Sequence, residues 1–498
     1  MNLFALICLV ASLAVLYINF RVLDVSLGSK PKSDEKDDWD ILYHLGGNSP
    51  WIKKIDGVVD TTVEPPAGCE VEQVHMMSRH GERYPTLAAG ARMLDLLRRI
   101  QDSATPLKGD LAFVNNWEYF TQEPSKHLEQ LVNTGPYAGT LEAFTTGVKL
   151  RTRYTHLIPA NTTRMWASDS KRVIDTAQYF RAGFFGLEET LAQSTPASIL
   201  DVIPETAERG GDTLTPGDSC LKYRTDLDRG HDYGAAMLAK FRATYLGDIA
   251  DRFEKQNPHF SFRFDDSEIY SMQEMCGFET LVRGLSPWCD VFTHADWENF
   301  EYARDVIHYY RAGPGNLYGP TMGWLWLNAT ANLLSEGSSA GPLFFSFVHD
   351  GDIIPMLAAL DIFPSPASPS SPHGDRKPQR LDLPVTHVPA NRTWRTSQVT
   401  PMGGRIIFER LACSSQSPAD LAYSTSNMEE ILPPSSFVRI NINDGIVPLP
   451  NCKSGPGSSC PLSQFLQVVS ERGEQVGDFR NICGLGAEAP AALTFLHQ

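Results

Sequence analysis

The stretch VEQVHMMSRHGERYP, residues 71–85, joins an apolar, strand-like segment to a cluster of charged residues. Within it Arg79 and Arg83 flank His80, and Gly81 lets the backbone turn sharply. A guanidinium fork matches phosphate oxygens in a bidentate fashion, so the two arginines could hold a dianion with the imidazole within reach of its phosphorus. Taken alone, the segment also fits a surface turn with ordinary charges.

A second polar pair has the same setting. His349 and Asp350 follow the apolar segment Leu343–Val348 and precede a helical pattern over Ile353–Leu360. Sites in α/β sheets form at the carboxyl ends of strands. Two strand ends with complementary groups therefore favour one shared site over two unrelated turns.

Strand and helix patterns alternate along the chain, which predicts an α/β fold with a mixed-sheet core flanked by helices. Further strand candidates are Arg164–Ser168, before a helical pattern over Lys171–Phe185, and then Arg405–Glu409 and Phe437–Ile442.

The predicted domain organisation is discontinuous. Residues 41–185 and 336–498 are assigned to the core, and residues 186–335, richer in helix and loop signals, to an inserted, mostly α-helical smaller domain. The Pro- and Ser-rich stretch 364–380 is predicted to be an exposed loop.

The N-terminus indicates export from the cytosol. Leu3–Phe20 is apolar and uncharged, so residues 1–26 are assigned to a signal peptide or signal anchor and residues 27–40 to a flexible lead-in. No basic residue precedes the apolar run and no clear small-residue cleavage site follows it. Both a secreted protein and a single-pass protein with its folded part outside the cytosol remain open.

Composition narrows the class of protein. Of 498 residues, 42% are hydrophobic and 20% charged, which supports a large core and argues against disorder. A net charge of −16 argues against nucleic-acid binding. The mean hydropathy of −0.23 excludes a polytopic membrane protein.

Cysteines and sequons favour an oxidising compartment. Eight cysteines lie beyond the apolar run, an even number that fits four disulfides: Cys69, Cys220, Cys276, Cys289, Cys413, Cys452, Cys460 and Cys483. The sequence contains no Cys-x-x-Cys pair, which argues against metal binding by these cysteines. Sequons at Asn161, Asn328 and Asn391 predict glycosylation.

Together these motifs resemble the histidine acid phosphatases, the secreted branch of the histidine phosphatase superfamily, and most nearly the fungal phytases and acid phosphatases. The Arg-His-Gly-x-Arg-x-Pro signature stands at Arg79–Pro85 and the His-Asp signature at His349-Asp350. Further similar segments, in the same order, are Gly68–Glu70, Ser168–Val173, Phe278–Thr280, Trp288–Asp290 and Gly313–Asn316.

The resemblance implies a phosphomonoesterase that works through a phosphohistidine intermediate. His80 is expected to be the nucleophile and Asp350 the acid that protonates the leaving oxygen. The groups expected to bind the phosphate are Arg79, Arg83, Arg172 and His349. The arginines supply the positive charge, so no metal or cofactor is expected, and the expected partner is a small phosphate monoester without a stable protein partner.

Elementary electrostatics favours an acidic optimum for such a site. Three guanidinium groups should lower the pKa of His80, which keeps the nucleophile neutral in mild acid. The carboxylic acid Asp350 must be protonated to donate.

The resemblance also supplies weaker expectations. Glu301 is similar to an acidic position near the substrate pocket, although it also fits an exposed helix residue. The resemblance implies the long-range disulfides Cys69–Cys413 and Cys220–Cys483, and the neighbouring pairs Cys276/Cys289 and Cys452/Cys460 are expected to close local loops. His75 is interpreted as a packed histidine and not a ligand.

The phosphomonoesterase interpretation is weighed against two rival functions. Export signals argue against a phosphotransfer mutase on the same superfamily fold, and the intact set of motif residues argues against a non-catalytic phosphate binder. Additional basic residues in the pocket would favour phytate as substrate, whereas an acidic edge would favour a broad-range acid phosphatase.

Overall fold

The computed structural model describes residues 39–103, 105–160, 162–187, 198–363, 382–414 and 435–498. The elements below belong to the unit Ile41–Gln498. Its strands are β1 (Cys69–Arg79), β2 (Thr163–Ser168), β3 (Ser198–Ile203), β4 (Leu343–Val348), β5 (Arg405–Cys413), β6 (Ser435–Ile442), β7 (Gly445–Ile446) and β8 (Cys460–Pro461).

Ten α-helices among the described residues are longer than two turns. They are α1 (Leu87–Asp102), α2 (Gly139–Arg153), α3 (Lys171–Phe185), α4 (Tyr233–Arg242), α5 (Leu246–Gln256), α6 (Asp266–Arg283), α7 (His294–Arg311), α8 (Gly319–Glu336), α9 (Asp350–Leu360) and α10 (Leu462–Val476). Shorter helices span Pro124–His127, Pro216–Ser219, Leu221–Thr225, Thr396–Val399 and Phe479–Cys483.

The strands form one mixed sheet in the order β3-β2-β4-β1-β5-β6-β7, with β8 paired to β6. The first four strands of that order run parallel to one another, and β5 to β8 pair antiparallel. The predicted α/β fold with a mixed sheet is confirmed. All four parallel strands therefore end at the same edge of the sheet.

One face of the sheet packs against α2 and α3. Met76, Phe345 and Ile407 lie side by side on β1, β4 and β5 and belong to this core. The two helices approach closely at Gly147 and Gly183, where an added Cβ would lie within 2.2 Å of a backbone oxygen of the other helix. Small residues at the crossing thus let α3 lie tightly behind the site.

His75 occupies the other face of β1. Its ring is fully buried and stacks on Phe344 with centroids 4.4 Å apart. Burial lowers the pKa of His75 to about 3. The interpretation of His75 as a packed histidine is confirmed.

The range 186–335 is not wholly outside the sheet. β3 falls within it and yet forms the edge of the core sheet, paired in parallel with β2. After β3 the described residues of this range are helical or irregular, from Ala207 to the greater part of α8. Division into a core and an inserted domain stays a prediction, with β3 belonging to the sheet.

Four disulfides join Cys69 to Cys413, Cys220 to Cys483, Cys276 to Cys289 and Cys452 to Cys460. The first two are the long-range pairs that the family resemblance implied, and Cys276/Cys289 and Cys452/Cys460 close local loops, as their closeness in sequence predicted. Cys69 and Cys413 face each other across β1 and β5, so this bond fastens two central strands.

Three further expectations concern the surface and the termini. Asn391 is exposed, whereas Asn328 is half-buried on α8. The predicted signal segment, Asn161 and the Pro- and Ser-rich stretch lie outside the described residues. Among the described residues, none of the helices combines the length and apolar character that a membrane crossing requires.

Candidate active site

Polar groups that follow three of the four parallel strands converge at the carboxyl edge of the sheet. β1 ends in Arg79 and leads to His80, and β4 leads to His349 and Asp350. Arg172 lies in the first turn of α3, after β2. A cavity of about 780 Å³ opens here and is lined by all five of these residues and by Arg83. The site residues predicted from the two signature motifs are thus brought together.

His80 is buried and its ring is fixed by the backbone. Its Nδ1 lies 2.9 Å from the carbonyl oxygen of Gly81, which can only accept, so Nδ1 carries the proton and Nε2 keeps its lone pair. Burial, and then Arg79, Arg83 and Arg172, lower the pKa of His80 well below its usual value. The imidazole is therefore neutral and nucleophilic in acidic solution.

Gly81 shapes the turn that presents His80. A Cβ at this position would lie 2.7 Å from the carbonyl oxygen of Gly139, at the start of α2. The Gly81 amide donates to the hydroxyl of Thr176 on α3, at 2.9 Å. The motif loop is thus pressed between two helices, and a side chain at Gly81 would displace it.

Both terminal nitrogens of the Arg79 guanidinium group have partners within the protein. Nη1 donates to the carbonyl oxygens of Gly47 and Thr400, at 2.6 and 2.7 Å. Nη2 lies 3.0 Å from Oδ2 of Asp350. The bond to Asp350 ties the β1 motif to the β4 motif.

The other two arginines complete a cluster of cations. Arg83 donates from Nη1 to the carbonyl oxygen of Tyr84, at 2.8 Å, and lies 5.9 Å from the ring centroid of Phe278. Nη2 of Arg172 lies 3.3 Å from Nδ1 of His349. Burial and the neighbouring cations lower the pKa of Arg79 and of Arg83. A dianion bound here would offset this crowding of positive charge.

Asp350 experiences opposing influences. Burial raises its pKa, but Arg79, followed by His308, His80 and Arg83, brings the pKa well below the usual range. Asp350 is therefore ionised in the ligand-free site. The negative charge of a bound phosphate would oppose this ionisation and raise the pKa of Asp350.

Glu205 is a site residue that sequence reasoning missed. It follows β3 and places Oε1 2.9 Å from Nε2 of His349. The available signal was an acidic residue directly after a strand, SILDVIPE. It was overlooked because β3 lies within the range assigned to the inserted domain.

The walls of the cavity carry more cations than the predicted set. Five additional arginines line it: Arg92, Arg224, Arg242, Arg304 and Arg311. Five carboxylates also line it: Asp218, Asp232, Glu274, Asp350 and Asp352. Burial raises the pKa of Asp218, and raises that of Asp352 well above its usual value, so these two contribute less negative charge. The cavity is therefore electropositive.

Glu301 lies outside the cavity, contrary to the expectation from the family resemblance. Its side chain is buried and its oxygens lie 3.0 Å from His44 and Arg392 and 3.2 Å from Arg395. These partners come from distant segments of the chain. The acidic residue of this region that lines the cavity is Glu274, which pairs with Arg92 at 2.8 Å.

Comparison with known proteins gives a consistent result. A family model described as histidine phosphatase superfamily (branch 2) matches residues 70–443. A phytase of Candida albicans is 32% identical, over 93% of this chain and 91% of that protein. An acid phosphatase of Komagataella pastoris is also 32% identical, over 95% and 93%. The crystal structure of a phytase from D. castellii superposes with a TM-score of 0.79 at 29% identity, over 94% of this chain and 92% of that chain.

Proposed function

The chain belongs to branch 2 of the histidine phosphatase superfamily and is a phosphoric monoester hydrolase. We propose that its substrate is phytate, inositol hexakisphosphate. The reaction proceeds through a phosphohistidine on His80. The rival is a broad-range acid phosphatase without preference for phytate.

The first half-reaction transfers the phosphoryl group to the enzyme. Nε2 of His80 attacks phosphorus while the bond to the ester oxygen breaks, and Asp350 donates its proton to that oxygen as the alcohol leaves. The negative charge of the equatorial oxygens is offset by the three guanidinium groups and His349. The anchored position of Arg79 supports this role, because its hydrogen bonds fix the guanidinium before substrate arrives.

The second half-reaction releases inorganic phosphate. Water attacks the phosphorus, the bond between nitrogen and phosphorus breaks, and Asp350 now accepts the proton of the water. His80 returns to its neutral form. The shared use of Asp350 in both steps requires that it gain and lose a proton within one turnover, which the opposing influences on its pKa support.

One observation carries the proposal of phytate: eight arginines line the cavity, against five carboxylates. Three of the arginines suffice to bind the phosphoryl group that is transferred. The other five can bind additional phosphate groups of the same substrate, which a simple monoester lacks.

Substrate preference is tested with Arg242, which lies over the ring of Tyr270, 5.0 Å from its centroid. We expect Arg242→Gln to lower kcat/KM for phytate several-fold and to leave kcat/KM for glycerol phosphate unchanged. Arg98→Gln, on the exposed side of α1, is the matched control. Equal rates on both substrates in the wild type, or equal losses in the variant, would establish the broad-range alternative.

We also propose that the protein acts outside the cytosol. Four disulfides support this, since such bonds persist in oxidising compartments. Glycosylation at the exposed Asn391 would agree with it. Mass measurement of the protein recovered from its natural source, before and after removal of N-linked glycans, tests this proposal.

A further inference from the structure

Glu205 joins the site from behind His349. It is partly buried and follows the edge strand β3, whereas His349 follows β4. β2 lies between these two strands, so the contact crosses from the edge of the sheet over one strand to β4. Glu205 is absent from the cavity lining, and its oxygen meets the ring nitrogen of His349 that faces away from Arg172.

The two ring nitrogens of His349 have partners of opposite charge. Nε2 lies 2.9 Å from Oε1 of Glu205, and Nδ1 lies 3.3 Å from Nη2 of Arg172. The carboxylate can only accept, so Nε2 carries a proton. Nδ1 is therefore the nitrogen that can face a phosphate held by Arg172.

This arrangement sets a requirement on the charge of His349. With Nε2 protonated, a neutral imidazole would direct the lone pair of Nδ1 at an oxygen of the phosphate, which is repulsive. Only the imidazolium donates from Nδ1 to the phosphate while Nε2 still donates to Glu205. The Glu205 carboxylate at Nε2 would offset part of the positive charge that Arg172 and the imidazolium place side by side.

We propose that Glu205 is a positioning residue that fixes the ring of His349 and stabilises its imidazolium, so that His349 binds the phosphoryl group as a cationic donor. When a phosphate dianion binds, Nδ1 takes up a proton from the solvent and donates it in a hydrogen bond to a phosphate oxygen. The inference rests on the proposed function, because it assumes that His349 contacts the phosphoryl group.

Other charged groups surround His349 and bear on its protonation. His80 lies across the cavity with ring centroids 5.6 Å apart, and Asp218 interacts electrostatically with His349. Asp352 accepts from the backbone N–H of His349 at 3.0 Å, and Asp350 is its chain neighbour. Glu205 differs from these groups because its carboxylate bonds directly to the imidazole.

The test is the inhibition constant of inorganic phosphate, measured against pH for the wild type and Glu205→Gln. Glutamine keeps the shape and can still accept from Nε2, but it lacks the charge. We expect phosphate binding to weaken about tenfold near neutral pH, by analogy with the loss that follows removal of the outer hydrogen-bond partner of a metal-ligating histidine.

Three further variants make the test specific. Asp201→Asn removes a carboxylate from β3 that pairs with Arg164 at 2.8 Å, and it should behave as the wild type. Glu205→Asp keeps the charge and should restore part of the phosphate binding that Glu205→Gln loses. In a His349→Ala background, Glu205→Gln should have no further effect.

The outcomes separate this inference from the proposed function. A wild type that phosphate does not inhibit would refute the proposed function. Normal inhibition of the wild type with an unchanged constant in Glu205→Gln would refute the role of Glu205 alone. The same loss in the His349→Ala background would show that Glu205 acts independently of His349, which also overturns the inference.

Discussion

Buried charges are paired in the antiparallel half of the sheet, whereas like charges are crowded together at the carboxyl edge of the parallel half. In the antiparallel half, Glu409 on β5 and Arg439 on β6 are cross-strand neighbours and pair at 2.6 Å. Tyr154 also donates to Glu409, at 2.7 Å. At the carboxyl edge of the parallel half, by contrast, Arg79 and Arg83 are buried in a cluster where cations outnumber carboxylates.

The difference distinguishes charges that stabilise the fold from charges that are placed to bind a ligand. In a buried pair with complete hydrogen bonding, mutual attraction offsets at least part of the desolvation cost, whereas crowded like charges destabilise the ligand-free protein. Such a cost is sustained where an anion will bind. The comparison predicts that variants in the two halves affect different measurements.

The largest expected effect belongs to the parallel half. His80→Ala should reduce turnover by several orders of magnitude, because the covalent step is lost, and should leave thermal stability close to that of the wild type. Steady-state assays and thermal unfolding of the same preparation test both expectations. Substantial activity in the folded variant would contradict the assignment of the nucleophile.

Asp350→Asn should follow, with a loss that depends on the leaving group. An alkoxide needs a proton, and general acid catalysis typically contributes about 10²–10⁴-fold. A nitrophenolate is already a stable anion and needs the proton far less. We therefore expect a large fall in kcat/KM for phytate and a much smaller one for nitrophenyl phosphate. Equal losses on both substrates would assign Asp350 a structural role only.

Glu409→Gln should show the reverse pattern in the antiparallel half. Breaking a buried ion pair leaves Arg439 without its counter-charge and should cost about 3–5 kcal/mol of unfolding free energy. The value of kcat/KM per folded molecule should stay unchanged. Denaturant unfolding and steady-state assays of the same preparation test both expectations. A loss of activity without a loss of stability would contradict the difference drawn between the two halves.

A smaller effect concerns Glu82, within the signature motif. Burial, and then the nearby Glu142, raise its pKa from 4.5 to about 8. The folded protein keeps this proton between pH 4.5 and 8 while the unfolded chain loses it, so stability should fall as pH rises through that window, by up to a few kcal/mol.

His75 gives the opposite slope at lower pH. Its pKa of about 3 means that the free energy of unfolding falls as pH decreases from 6.5 to 3.

The contribution of Glu82 is tested by Glu82→Gln, which should raise the unfolding temperature at pH 8 relative to the wild type and change it little at pH 4. Parallel unfolding curves for the two proteins at every pH would contradict the prediction for Glu82.

Local pattern was enough to predict much of the parallel half. The strand leading to His349 is apolar along most of its length, the one leading to Arg79 places Val71, Val74, Met76 and Met77 in a β-capable segment, and both end in motifs that share one edge. α3 was predicted with its exact bounds because its apolar positions have helical spacing. The convergence of the signature residues followed from these elements.

What local pattern missed depended on distant contacts. Only the two end residues of β3 are fully buried and the strand lies at an edge of the sheet, so its sequence looked no more strand-like than its helical surroundings. Its assignment to the inserted range hid Glu205. Glu301 was misplaced because its partners His44, Arg392 and Arg395 are remote in sequence and hold it within the protein.

The central claim is that His80 carries the phosphoryl group. The most direct test is rapid quenching of the wild type at alkaline pH during turnover of radiolabelled phytate, followed by peptide mapping. The account predicts one labelled peptide, with acid-labile phosphate on His80, that is absent from His80→Ala. Turnover without any labelled peptide, or label on a different residue, would contradict it.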